Sequence, residues 1–356
     1  MPKLADFERY INHLCETLGH QDRHAGFTDY SRGLMLPIER KSVEPLAAYT
    51  DPLHVSAKHQ SLHHLVAKSE WSDTAVLACV RDWVMPRLGL KSRFFWIVDD
   101  TGFPKKGAHS VGVARQYCGQ LGKEDNCQVA VSLSLATARG SVPIAWRLYL
   151  PKQWAKDRRR RRKAGVPREM KFATKPQIAL EQIRAAKTAG VPVGIVLADA
   201  GYGNETAWRE VLSEQGLEYC VGVQSSTTVW SKGTGPLPPK PQKRIGRPPT
   251  RWRRGPGKSP VSVKALAESL KARRWRTVQW REGTNAKLSS RFAALRVRSA
   301  HRDEGKKALR EEQWLLIEWP AENSEPTKYW LATLPADTAL VDLVRTAKMR
   351  WRIERD

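Results

Sequence analysis

The chain has 356 residues, 41% of them hydrophobic, and carries 61 Lys and Arg against 36 Asp and Glu, a formal charge of +25. That length and apolar content exclude a disordered chain and predict two or three domains with a buried core, while the charge predicts a polyanionic partner, nucleic acid first. No apolar run nears the roughly 18 residues of a membrane span, and the opening MPKLADFERY has no secretory pattern. Five widely spaced cysteines without a CxxC argue against a disulfide framework or zinc knuckle and point to a reduced cytoplasmic protein.

Residues 1 to about 88 read mostly as helix: Leu4, Phe7, Tyr10, Ile11, Leu14 and Leu18 recur at helical spacing, and apolar positions from Leu62 to Leu77 do so again. From Arg93 the period changes. FFWIVDD reads as a buried strand ending in two carboxylates, and NCQVAVSLSLATA and VPIAWRLYL follow as strands on either side of the Gly140-Ser141 turn. A basic loop comes next, then a helix from about Pro176 to Thr188, a strand at Val193 to Leu197, a helix from about Glu205 to Ser213 and a strand at Leu217 to Val223. The predicted order is β-β-β-α-β-α-β. Residues 224–260 are rich in Ser, Thr, Gly, Pro, Lys and Arg, the composition of a linker. Strands are predicted at Trp275 to Trp280, Arg291 to Val297, Gln313 to Trp319 and Tyr329 to Leu334, with helix at about 261–272. A closing helix over 336–356, started by Pro335-Ala336-Asp337, would lie back against the first sheet.

The positive charge is concentrated. Residues 151–175 hold a net +9, including the run Arg158, Arg159, Arg160, Arg161, Arg162, Lys163, and residues 240–282 hold +12, with Arg247, Arg253 and Arg254 among them. A merely solvated surface mixes both signs, so segments this poor in acids point to phosphate contact. Lys105 and Lys106, just beyond the first strand, read equally as further phosphate contacts and as an exposed loop.

Two strands of the predicted unit end in acids, at Asp99-Asp100 and Asp199. If the first and fourth strands lie side by side in parallel, joined by a right-handed crossover, their ends sit about 4.8 Å apart and two carboxylates can share a hard divalent cation. A third acid is then expected, and Glu354 on the closing helix is the candidate. Two such ions would activate a water or hydroxyl and stabilise the leaving oxygen of a phosphodiester. Adjacent strand residues face opposite ways, so spacing alone does not choose between Asp99 and Asp100. A plain turn is the competing reading of Asp199-Ala200-Gly201-Tyr202-Gly203.

Other motifs carry less. His54, His59, His63 and His64 include an i,i+4 pair, but Gln60 stands where a zinc protease needs Glu. Arg254 to Ser259 imitates a phosphate loop and has Trp252 at the position of its first glycine, which excludes ATP. Ile245 to Pro249 is similar to minor-groove arms without their flanking Arg. One of the fourteen Trp could stack on an unpaired base.

Three stretches, VDDTGFPKKG with SVGVARQYCG (98–119), VLADAGYG (196–203) and MRWRIERD (349–356), together with the opening LGHQDRH and HQSLHHLVAKSEWSD, resemble the DDE insertion-sequence transposases of the IS-seven-oh-one group, relatives of the IS-four and Tn-five-type enzymes. The resemblance implies an α/β, ribonuclease H-like mixed sheet. It divides the chain into an N-terminal helical DNA-binding domain (1–88), a catalytic core (89–223), an inserted β-rich subdomain (224–335) and a returning C-terminal helix (336–356). It assigns Asp100, Asp199 and Glu354 as catalytic residues and ligands of two Mg²⁺ ions, with Mn²⁺ as a substitute. It also implies terminal inverted repeats and target DNA as substrate, a synaptic homodimer, and a place on the nucleoid. Related enzymes carry a Tyr-x2-Arg-x3-Glu-x6-Lys signature, whose middle matches Arg350 and Glu354; Ala347 takes the Tyr position and the Lys would fall at 361, past Asp356. A truncated product is therefore expected, with Glu354 in a fraying last turn. A DNA-binding remnant that occupies ends without cutting is the rival expectation, and a host nuclease with the same core is a third.

Overall fold

The computed structural model describes residues 2–89, 91–240, 249–255, 259–282, 286–303 and 308–355 and forms two compact units, one up to Lys91 and one from Ser92. The first is helical: α1 (Pro2–Cys15), α2 (Asp22–Met35), α3 (Val43–Thr50), α4 (Val55–Ala67) and α5 (Asp73–Val84). The periodic face of α1 buries Ile11 and Leu14, which join Leu18 in a core with Phe27, Leu65 and Cys79; Leu4, on the same predicted face, stays exposed. Ser72 caps α5 by accepting from the Ala75 N–H, worth about 1 kcal/mol. A second small core joins Leu46 and Ala47 of α3 to Leu62 of α4.

The second unit carries one mixed sheet. Its elements are β1 (Phe95–Pro104), β2 (Ala114–Cys118), β3 (Lys123–Ala136), β4 (Ser141–Leu148), α6 (Lys152–Lys156), α7 (Arg158–Lys163), α8 (Lys175–Thr188), β5 (Ile195–Ala198), α9 (Ala200–Gly203), α10 (Thr206–Glu214) and β6 (Tyr219–Val223). They continue with β7 (Thr228–Ser231), β8 (Val261–Ser262), α11 (Val263–Glu268), β9 (Arg276–Glu282), β10 (Lys287–Ser299), β11 (Gln313–Glu318), β12 (Lys328–Ala332) and α12 (Leu340–Lys348), which runs on as a 3₁₀ turn over Met349–Arg355. The strand order is β2-β3-β1-β5-β6-β12-β11-β10-β7-β8, with β4 also on β3 and β9 also on β10. Among the described residues only β1–β5 and β5–β6 pair in parallel. Strand β12 pairs with β6, Tyr329 opposite Val223, so the strands after residue 224 extend the same sheet.

The predicted order missed β2 and the short helices of the basic segment. Strand β2 has five residues, with Tyr117 exposed, too short and too wet to show a period. The arginine run was expected as loop because it has no apolar stripe. It is helical because Asp157 caps it, accepting from the Arg160 N–H at 2.9 Å, and because Arg160 and Arg161 anchor it to carbonyls outside the run. Helix α12 packs Leu343, Val344 and Ala347 on Phe95, Ile97, Ile195 and Leu197, one face of the sheet. On the other, α8 donates from Gln182 to the Val131 carbonyl. All five cysteines are buried thiols, and among the described residues no helix is long and apolar enough to cross a membrane.

Candidate active site

Strand alternation sets the directions of the first two carboxylates. Phe95 and Ile97 face α12, so Asp99 emerges on that side and Asp100 on the opposite one. The contacts agree. Asp99 Oδ2 accepts from Arg350 Nη2 at 2.7 Å, and its Oδ1 accepts from the Asp100 N–H at 2.9 Å. Asp100 Oδ2 accepts from Lys175 Nζ, at the start of α8, at 2.5 Å. Its Oδ1 accepts from the Tyr202 hydroxyl.

The third carboxylate follows β5, whose Ile97 to Leu197 register brings its end level with Asp99 in the middle of β1; that strand stays paired with β3 as far as Pro104, so Asp99 and Asp100 do not end it as the sequence reading expected. Asp199 caps α9, accepting from the Gly201 N–H at 2.9 Å. The glycines of VLADAGYG have a steric reason: a Cβ on Gly203 would stand 2.0 Å from the Gly222 carbonyl oxygen of β6. That close approach seats Tyr202, buried and tilted against Trp208, beneath the carboxylates.

The three acids form one electrostatic cluster. Burial pushes the Asp99 carboxyl above its ordinary value, Arg350 pulls it back, and Asp199 and Asp100 raise it further. Burial first, then Asp100, Asp99 and Asp199, push the Tyr202 phenol far up, so it remains a proton donor. Glu354 does not join them: its carboxylate is 68% exposed and, among the described residues, reaches only Arg350, at 3.9 Å. Among the described residues no three His, Cys, Asp or Glu gather closely enough to hold a metal ion. Asp100, Asp199 and Glu354 are therefore not brought together as a three-acid group, and the histidines of α4 make no such group either.

Sequence reasoning missed Lys175 and Tyr202, and it read Arg350 as a signature residue and a DNA contact rather than as the partner of Asp99. Tyr202 had a signal, its place inside VLADAGYG. Lys175 had none, since it stood at the end of a basic stretch like any other cation.

The residues expected on DNA divide into two groups. Arg160 donates to the Ala108 carbonyl, Arg161 to those of Pro167 and Met170, Arg254 pairs with Asp303, and Arg350 with Asp99. Arg253 joins an isolated backbone bridge with Leu237. Lys105, Lys106, Arg158, Arg159, Arg162 and Lys163 are exposed. Arg247, and with it most of the Ile245–Pro249 arm, lies outside the described residues.

The sequence profile of the DDE superfamily endonucleases matches residues 13–287, from the helical unit through all three aspartates. A curated relative, "Probable transposase for insertion sequence element IS701" of Microchaete diplosiphon, is 36% identical over 169 residues, 47% of this chain and 41% of the relative. The match thus spans about two fifths of that relative's length. With a profile covering most of its residues and acids level with one another on two adjacent parallel strands, the chain belongs to the DDE superfamily endonucleases.

Proposed function

We propose that the protein is a DNA transposase that hydrolyses and then rejoins phosphodiesters at the terminal inverted repeats of an insertion sequence, as a homodimer holding two ends on the nucleoid. The observation that carries this reading is the cluster of Asp99, Asp100 and Asp199 in a chain of this superfamily with a charge of +25. The likeness to an insertion-sequence transposase supports the choice of substrate. The parallel β1–β5 pairing supports a ribonuclease H-like reading of residues 89–223, with 1–88 as a DNA-binding domain, 224–335 as an insertion and 336–356 as the returning segment.

Enzymes of this superfamily use divalent metal ions, typically Mg²⁺. The donor chemistry here suits such an ion and the arrangement does not. Protein cations sit on both acids of β1, Arg350 on Asp99 and Lys175 on Asp100, and Glu354 faces solvent. A two-ion site at Asp100, Asp199 and Glu354 thus requires Lys175 to leave Asp100 and Glu354 to turn inward. One observation favours Asp99 over Asp100 as the first acid: Asp99 shares its face of the sheet with the Arg350–Glu354 segment.

The test is strand cleavage of labelled duplexes carrying the element's end or a scrambled end, in Mg²⁺ and in Mn²⁺. A transposase cuts the true end at one position. Retention without cutting would make the chain an end-binding protein, and cutting of both duplexes alike would make it a nuclease without end specificity. Comparing Asp99→Asn with Asp100→Asn in this assay separates the two assignments, since the reacting acid should cost at least about 10²-fold and its neighbour far less.

A further inference from the structure

Helix α7 consists of five arginines and a lysine. Six residues are far fewer than an isolated helix needs, and its like charges at i,i+4, Arg158 with Arg162 and Arg159 with Lys163, repel. What holds it is specific. The Arg160 guanidinium lies 3.7 Å over the ring of buried Trp154 and donates to the Ala108 carbonyl at 2.6 Å. Arg161 reaches the other way, to the Pro167 carbonyl at 2.8 Å and the Met170 carbonyl at 2.6 Å. Trp154 itself donates to the Val113 carbonyl and packs with Val166 and Met170. Two arginines are thus structural, one tying the helix to the loop after β1 and one shaping residues 164–170 into a wall.

Between that wall and the helix lies a cleft of about 590 Å³, lined by Arg158, Arg161, Arg162, Arg168 and the turn at 165–167, with no acid among its lining residues. Arg158, Arg162 and Arg168 are exposed, and their guanidinium groups have no hydrogen-bond or ion-pair partner among the described residues. Three exposed guanidinium groups around one cleft give it a local positive potential that favours an anion. Arginine's planar fork matches phosphate oxygens two at a time. The loop held by Arg160 also carries Lys105 and Lys106 and follows the strand of Asp99 and Asp100; Asn126 fixes it through the Lys105 and Gly107 carbonyls.

We infer that this cleft seats the phosphate backbone of duplex DNA, with Arg158, Arg162 and Arg168 as its phosphate ligands and Arg160 and Arg161 as its frame. The inference rests on the reading of DNA as substrate and names where the duplex backbone is held.

The experiment is fluorescence anisotropy of a labelled duplex bound by the full chain over a range of salt. Each phosphate contact contributes about −0.9 to the slope of log affinity against log salt. The Arg158→Gln/Arg162→Gln/Arg168→Gln variant should therefore lose about 2 to 3 from the magnitude of the slope, with its thermal midpoint unchanged. The corresponding triple Arg→Lys variant, which keeps the charge, should retain the slope. Arg160→Gln/Arg161→Gln should instead lower the melting temperature. A wild-type slope in the Gln triple variant would overturn the inference while leaving DNA as the substrate. Failure of the wild type to bind duplex would remove the substrate reading and the inference with it. Binding of single-stranded RNA in preference to duplex, lost in the triple variant, would overturn the DNA assignment and keep the cleft as a phosphate site.

Discussion

Asp99 sits in tension between burial and a cation. Burial raises its pKa and Arg350, 2.7 Å away, offsets part of the rise. A carboxyl whose folded pKa lies above its unfolded value contributes stability that is full below the unfolded value, about 3.9, and lost as pH rises through the folded one. Asp99→Asn removes that dependence. Its stability relative to wild type, from urea melts below pH 4 and at pH 8, should therefore shift in the variant's favour as pH rises; a constant difference would mean that Asp99 is not perturbed. At this scale the sequence was half legible. Asp99, Asp100 and Asp199 announce themselves as acids ending apolar runs, and their partners do not. Lys175 and Tyr202 meet Asp100 across 75 and 102 residues of chain, and Arg350 meets Asp99 across 251. Such pairings are set by the fold, and no local spacing encodes them.

Elements are positioned here by close approaches and buried pairs as much as by apolar stripes. Helix α9 lies against β6 because neither Gly203 nor Gly222 has a side chain. Gly203→Ala should cost about 1–3 kcal/mol through overpacking against backbone, seen as a lower denaturation midpoint at unchanged m-value, and should move Tyr202 off Asp100. Helix α12 is fastened by Lys348, whose ammonium meets both Glu318 oxygens at 2.8 and 2.7 Å and lies 4.3 Å from the Trp280 ring centre. Burial holds the Lys348 pKa below its usual range against the pull of Glu318. Lys348→Ala leaves Glu318 buried and unpaired and should cost about 3–5 kcal/mol, whereas Lys348→Met with Glu318→Leu should recover most of the loss. Equal melting of the single variant and the wild type would contradict a buried pair. Helix α8, β5, α10 and β6 were legible within a few residues because their periods are clean and their caps local, Thr174 and Gln177 forming a capping box. Helix α7 was not, since it is built by Arg160 and Arg161 reaching beyond the arginine run.

On the scale of the molecule, charge spoke first and most plainly. A net +25 pointed to a polyanion before any element was placed, and the structure sorts those cations into ones that hold the fold and ones that face outward. The continuous sheet was less visible, because β12 returns to β6 across more than a hundred residues and nothing in either strand names its neighbour. The parallel β1–β5 pairing that aligns the acids was predictable from chain order and crossover handedness. Asp199 is common to either choice of first acid, which makes it the residue on which the functional reading turns. The direct measurement is cleavage of a labelled duplex bearing the element's own end, in Mg²⁺, by the wild-type chain and by Asp199→Asn, with duplex binding followed in parallel. The account predicts a single cut by the wild type, loss of at least about 10²-fold in the variant, and equal binding by the two. Undiminished cutting by Asp199→Asn, or binding by the wild type with no cut at any position, would contradict it.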